Sequence, residues 1–332
     1  MDTAVPPERT PPSLAARFRE PPGFQWGTFV TESGASLRWG HFPNPDADKT
    51  CVLVGGFAEF IEKYFETARD FAARNFDVWC LDWQGQGASD RWTENPTRPR
   101  AREYERDADT LAKFIEARTP AGKPRLLVAH SMGGAIALLC LSLTPGIVDA
   151  AVLSAPMLGL PLPPIVHLLA RMYARMMTKL GFANHFIPGA GPWKARENLC
   201  AANSRASTDA ERCLLQREWF TFDPQLRVDG PTFGWIDAAF ALTTRLRNPA
   251  VLRRIMTPIL LGSAQRELFV NPSAHRRAAK YLPHCQLVAF PGGKHELFHE
   301  SDSVRGPWFE AIDAFSAAHL HPSPQSRKPH AD

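Results

Sequence analysis

The chain has 332 residues, 44% apolar and 22% charged, a balance that suits a globular protein with a sizeable core and excludes bulk disorder or a fibrous repeat. With 38 basic and 34 acidic side chains the formal net charge is +4, far from the dense Lys/Arg stripes that follow a phosphate backbone, so nucleic acid is not an expected partner. The six cysteines are scattered without a C-x-x-C pair, which favours free buried thiols in a reducing cytoplasm over disulfides or a metal site.

In chain order, residues 1–23 mix acids, bases and prolines without an apolar core. They lack the pattern of a secretory signal and read as a flexible arm. From Phe24 to Pro43 two alternating segments flank Glu32-Ser33-Gly34, as expected of a hairpin of half-buried strands. Four nearly continuous apolar runs follow, TCVLVGG, FDVWCLDW, RLLVAHS and VDAAVLSAP, and such runs are typical of strands buried on both faces. Helical patterns at about 62–74, 106–118 and 132–143 separate them. The alternation predicts an α/β fold with a doubly wound, mostly parallel sheet. The longest uncharged apolar run, around 155–170, is broken by Pro156, Pro161, Pro163 and Pro164 and falls short of the ~20 residues that span a bilayer.

Between about Met157 and Arg247 the strand rhythm stops and the text becomes helical and aromatic; it resumes with TPILLGS and CQLVAFPG. An insertion into one sheet accounts for this. The expected domains are therefore a core of 24–156 and 248–318, a helical cap of 157–247, and a polar, proline-rich tail of 319–332.

The chemistry concentrates at Ser131. A strand, then Ser131, then a helix opening MGGAIALLCL, with small residues at Ala129, Gly133 and Gly134, has the form of a nucleophile elbow, whose sharp turn lifts a hydroxyl above the sheet and leaves no room for bulk on either side. A serine needs a base held by a third group. His295 follows the strand QLVAF directly and is the preferred base, with His299 as its rival. On the loop after the preceding strand, Glu267 is the sole carboxylate and the expected orienting acid; Gln265, in another register of that loop, could orient a ring but not stabilise an imidazolium. The oxyanion donors expected are the backbone amides of Met132, directly after the serine, and Phe57, in the loop GGFAEF. The segment DWQGQGASD lacks the further glycine and helix start of a dinucleotide site and reads as a turn supporting the same sheet edge.

Taken together, AHSMGG, the GGFAE loop followed by Tyr64, DWQGQGASDR, LSAPMLGL and PGGKHELF resemble the bacterial lysophospholipase and monoacylglycerol lipase branch of the α/β-hydrolases, from about Phe24 to Phe315. The resemblance implies a Ser-Asp/Glu-His order, here Ser131, Glu267 and His295, a helical cap after the sixth strand, a lipid or other acyl-ester substrate, and no metal or organic cofactor. Ala129 stands where the pattern usually has Gly, Gly55 where many relatives have His, and Glu267 where many have Asp. Tyr64 and Trp235 are the candidate substrate contacts. The remaining readings are a small-molecule esterase or peptidase of the same fold, and a non-catalytic binding protein.

Within the cap, His167, Arg171, Arg175 and Lys179 recur every four residues among Leu168, Leu169, Met172, Tyr173, Met176 and Met177. Such a basic amphipathic helix either turns its apolar side to the core or rests on an anionic lipid surface, which would add peripheral contact at the inner face of the membrane. Trp193, Trp219, Phe220, Phe222, Phe233 and Trp235 suit an acyl pocket or a cap core.

Overall fold

In the computed structural model, which describes residues 10–92, 94–100, 103–194 and 204–321, eight strands form one sheet in the order β1-β2-β4-β3-β5-β6-β7-β8. They are β1 Gln25–Val30, β2 Ser36–Phe42, β3 Lys49–Val54, β4 Phe76–Leu81, β5 Arg125–His130, β6 Ala150–Ser154, β7 Ile259–Ala264 and β8 Cys285–Phe290. The β1-β2 hairpin and its pairing to β4 are antiparallel, and every other pairing is parallel. The alternation anticipated for the hairpin and the continuous apolar runs of β3 to β7 match these positions. Along each inner strand, successive residues feed opposite cores: Val52, Val54, Leu127 and Ala129 on one face, Cys51, Leu53, Leu126 and Val128 on the other. A strand covered on both faces has no polar side to show.

The helices are α1 Phe65–Ala72, α2 Tyr104–Arg118, α3 Ser131–Leu143, α4 Pro164–Met177, α5 Leu215–Phe222, α6 Phe233–Leu246, α7 Pro249–Leu252, α8 Pro272–Ala279 and α9 Asp302–His319. Residues of α2, α3 and α6 line the first core and residues of α1, α5 and α9 the second. After β4 the chain crosses to the far side of β3 to form β5. At that reversal the loops leaving β3 and β5 diverge, opening a crevice at the carboxyl edge. The register Val54↔Ala129 brings the loop beginning at Gly55 directly beside Ser131.

Two boundaries differ from the expectation. Residues 10–23 are packed, because Leu14 and Phe18 sink into the core beside Phe24 and Phe65, and Arg69 Nη1 donates to Arg19 O at 2.7 Å. Proline-rich text hid two apolar anchors four residues apart. The cap is also less separate than its composition suggested, since Trp235, Ala239, Leu242 and Leu246 of α6 belong to the core that covers α3. At the other end Leu320 is buried, and residues 322–332 lie outside the described part.

Candidate active site

Ser131 caps the junction of β5 and α3 with φ = 51°, a left-handed value that costs a non-glycine residue of order 1–3 kcal/mol and persists only where the surroundings impose it. The sterics of the turn fall on Gly133 and Gly134. A Cβ on Gly133 would lie 2.4 Å from Gly55 O, and one on Gly134 would lie 2.8 Å from Pro156 Cβ. Ala129, by contrast, is accommodated inside the first core, so a methyl group in place of the usual glycine leaves the elbow intact.

Three side chains from distant stretches meet here. His295 Nε2 lies 2.8 Å from Ser131 Oγ, and His295 Nδ1 lies 2.7 Å from Glu267 Oε2. The other carboxylate oxygen of Glu267 accepts from the backbone amides of Leu268 at 2.8 Å, Phe269 at 2.7 Å and Val270 at 3.3 Å. Burial works to raise the pKa of Glu267, but the hydrogen bond from His295 and the loop amides outweigh it and hold the carboxyl below its usual range. An ionised Glu267 accepts Nδ1–H and leaves the Nε2 lone pair toward the serine. Phe269 flanks the imidazole, ring centroids 5.0 Å apart.

The rival groups are engaged elsewhere. His299 Nε2 lies 2.9 Å from Lys63 O, and burial pushes its pKa well down. Gln265 turns its amide back onto Ser263 O at 3.2 Å. His130, beside the serine in sequence, places Nδ1 3.1 Å from Ser154 O; burial lowers it to about 4, so it stays neutral.

The loop after β3 touches the elbow, with the Cβ direction of Gly56 aimed at Ser131 Cβ, 3.0 Å away. Behind it lies a buried polar cluster that sequence reasoning missed. Glu59 Oε2 accepts from Gly56 N and from Tyr64 Oη, while Lys63 Nζ donates to Glu59 Oε1 at 2.8 Å and to Glu296 Oε1 at 2.7 Å. Lys63 thus ties the loop at Ser131 to the residue after His295. The available signal was the lone acid in GGFAEF and the acid following the histidine. Glu59, Glu296 and His299 are spaced like metal ligands, but the Lys63 ammonium already occupies the position between the two carboxylates and satisfies both.

Of the two proposed substrate contacts, Tyr64 is 2% exposed and gives its hydroxyl to Glu59, which makes it a support for the loop with no face toward a ligand. Trp235 packs on the Phe57 ring, centroids 4.4 Å apart, and lines a small cavity with Met132 and Trp83. Trp219 and Phe220 are buried against Phe60, so they are core. A groove of about 650 Å³ is lined by Phe269, which flanks the His295 ring, by Glu296 and by cap residues including Trp193, Arg205 and Gln216, while Ser131, His295 and Glu267 themselves are not in its wall.

Residues 45–302 match the family described as serine aminopeptidase, S33. The chain belongs to this α/β-hydrolase family. Among relatives, lysophospholipase L2 of Escherichia coli K12 is 30% identical over 304 residues, covering 86% of each chain. Monoacylglycerol lipase of Mycolicibacterium smegmatis is 30% identical over 269 residues, 78% of this chain and 85% of the relative. The fold is shared with a solved soluble variant of monoglyceride lipase from Saccharomyces cerevisiae, with a TM-score of 0.70 at 18% identity over 93% of this chain and 100% of that one. A carboxyl esterase from Bacillus coagulans gives 0.72 at 16% identity over 90% and 99%. The resemblance drawn from the motifs and the S33 family agree.

Proposed function

We propose that this hydrolase cleaves the carboxylic ester of a lipid carried on glycerol, a lysophospholipid or a monoacylglycerol, through an acyl-enzyme on Ser131. The unbroken hydrogen-bonded run from Ser131 through His295 to Glu267 carries the reading. Ser131 Oγ attacks the ester carbonyl as its proton passes to His295 Nε2. The imidazolium is stabilised by Glu267, and the oxyanion is held by the amides of Met132 and Phe57. His295 returns the proton to the departing alcohol, and water then repeats the sequence to release the fatty acid. A groove of about 650 Å³ falls in the range of small-molecule sites. Among the described residues the acid in the groove wall is Glu296, and it and Glu59 are both bound to Lys63, so neither is spare to hold the free amine of a peptide substrate, which favours an ester over an aminopeptidase substrate.

The proposed function includes peripheral contact with an anionic membrane through the cap. In α4 Ala174 is the one buried side chain, while Ile165, Leu168, Leu169 and Met172 are 75%, 57%, 59% and 60% exposed. Contiguous apolar exposure on this scale marks an interaction surface. Arg171, Arg175 and Lys179 are interspersed, and no acid occurs from Leu160 to Phe182. No helix among the described residues is long and apolar enough to cross a membrane.

Purified protein assayed side by side on lysophosphatidylcholine, monoacylglycerol and short nitrophenyl esters tests the substrate class, with Ser131→Ala as the control. Loss of turnover and of fluorophosphonate labelling in that variant is expected; retained esterase turnover would overturn the proposal.

A further inference from the structure

The loop after β3 is held at Gly56 and at Ala58, on either side of an amide that is left over. Gly56 N–H is donated to Glu59. Ala58 N–H is donated to Gln86 Oε1 at 2.9 Å. Gly55 O accepts from Trp83 Nε1 at 2.8 Å and Gly56 O accepts from Gln86 Nε2 at 2.8 Å. Between the two engaged amides stands that of Phe57, which has no acceptor among the described residues. Met132 N–H, in the first turn of α3, likewise has none, as the opening amides of a helix require.

We infer that the buried carboxamide of Gln86 sets the direction of the Phe57 amide, making Gln86 a positioning residue for the oxyanion site; the inference rests on the proposed serine mechanism. The peptide between Gly56 and Phe57 is trans and planar, so its carbonyl and its N–H point in opposite directions. Whatever holds Gly56 O therefore aims Phe57 N–H. Gln86 holds that oxygen from the side of the β4 loop and, with its own oxygen, fixes the next amide as well. Two contacts from one planar group define both ends of the Phe57 residue. They also support Ala58 in its left-handed conformation, φ = 59°, which a non-glycine residue does not adopt without restraint.

The side chain is itself fixed. Gln86 is buried, its backbone N–H donates to Trp83 O at 3.0 Å and its backbone carbonyl accepts from Ser89 N at 3.1 Å. The glycines on either side, Gly85 at φ = 89° and Gly87 at φ = 54°, supply the turn that points it inward. Asp82 anchors the same loop by accepting from Ile61 N at 3.0 Å and from Arg38 Nε at 2.7 Å. The segment QGQG, which shows no phosphate cradle in sequence, thus has a use at the serine. A carboxamide supplies a donor and an acceptor together from one planar group without titrating.

The test pairs Gln86→Met, which keeps the length of the side chain but removes both the donor to Gly56 O and the acceptor for Ala58 N–H, with Gln86→Leu, which also shortens and branches it. Each is measured for kcat and KM on nitrophenyl butyrate, for inhibition by a trifluoromethyl ketone, and for melting temperature. Misaiming one donor is expected to lower kcat by about 10- to 100-fold, less than the roughly 10²–10³ lost with a whole oxyanion donor. KM should stay within about threefold, and ketone affinity should fall in step with kcat. A variant that folds and retains kcat within twofold overturns the inference while leaving the serine mechanism standing; a fully active Ser131→Ala would instead defeat the mechanism. If neither Gln86 variant folds, the unaltered protein decides. In a crystal structure of its boronic acid adduct, Phe57 N–H should donate to the boronate oxygen with Gly56 O still on Gln86, and an adduct that ignores the Phe57 amide would refute the assignment.

Discussion

Replacing Glu267 by Gln changes a single terminal atom, and the surroundings dictate its orientation. One carboxylate oxygen faces three backbone N–H groups, of Leu268, Phe269 and Val270, and the other faces His295 Nδ1. A glutamine must keep its oxygen toward the three donors, because its NH₂ group there would meet only hydrogens. The NH₂ then points at Nδ1 and donates to it, so the ring carries its proton on Nε2 and can no longer accept one from Ser131. The equivalent change in a Ser-His-Asp protease lowers kcat by about 10⁴-fold through the same wrong tautomer, which is about 5 kcal/mol of transition-state stabilisation. Steady-state hydrolysis of nitrophenyl butyrate by Glu267→Gln, with melting temperature as the folding control, should show that loss in kcat with KM little changed. A folded variant retaining more than about a tenth of parental kcat would refute the orienting role of Glu267.

Three further outcomes are expected. Gly133→Ala pushes a methyl group to 2.4 Å from Gly55 O, so urea unfolding should show a loss of about 1–3 kcal/mol together with reduced kcat, since the displaced loop carries Phe57. His275 is buried, with Nε2 2.7 Å from Pro156 O and Nδ1 2.9 Å from Ser263 Oγ, and burial, opposed by the Pro156 hydrogen bond, lowers it to about 4. Its stabilising share is full above the unfolded value near 6.5 and is lost as pH falls from there toward 4. His275→Gln removes that share, so the stability gap between parent and variant should narrow by about 2 kcal/mol from pH 7 to pH 5 in urea titrations. Finally, Leu169→Glu with Met172→Glu should weaken sedimentation with phosphatidylglycerol vesicles by more than about tenfold. Salt should weaken parental binding as well, and turnover of soluble nitrophenyl esters should be unaffected.

The elements of the sheet, its parallel winding and the meeting of Ser131, His295 and Glu267 at hydrogen-bond distance were legible in the text, because each depends on local facts. Apolar runs reveal strands covered on both faces, and the small residues around Ser131 reveal a turn with no spare volume. His295 and Glu267 were found by their place just after strands, a placement the doubly wound fold makes meaningful. Tertiary structure alone decided what depends on distance through space. Leu14 and Phe18 turned an expected arm into packed chain, because burial depends on a partner surface that no spacing rule displays. Tyr64 moved from substrate contact to loop support because Glu59, five residues earlier, folds back to take its hydroxyl. Lys63 to Glu296 joins positions 233 residues apart, and Gln86 reaches the loop after β3 from the loop after β4. A side chain's composition and spacing state what it can donate or accept; which group it faces is settled only when the sheet closes.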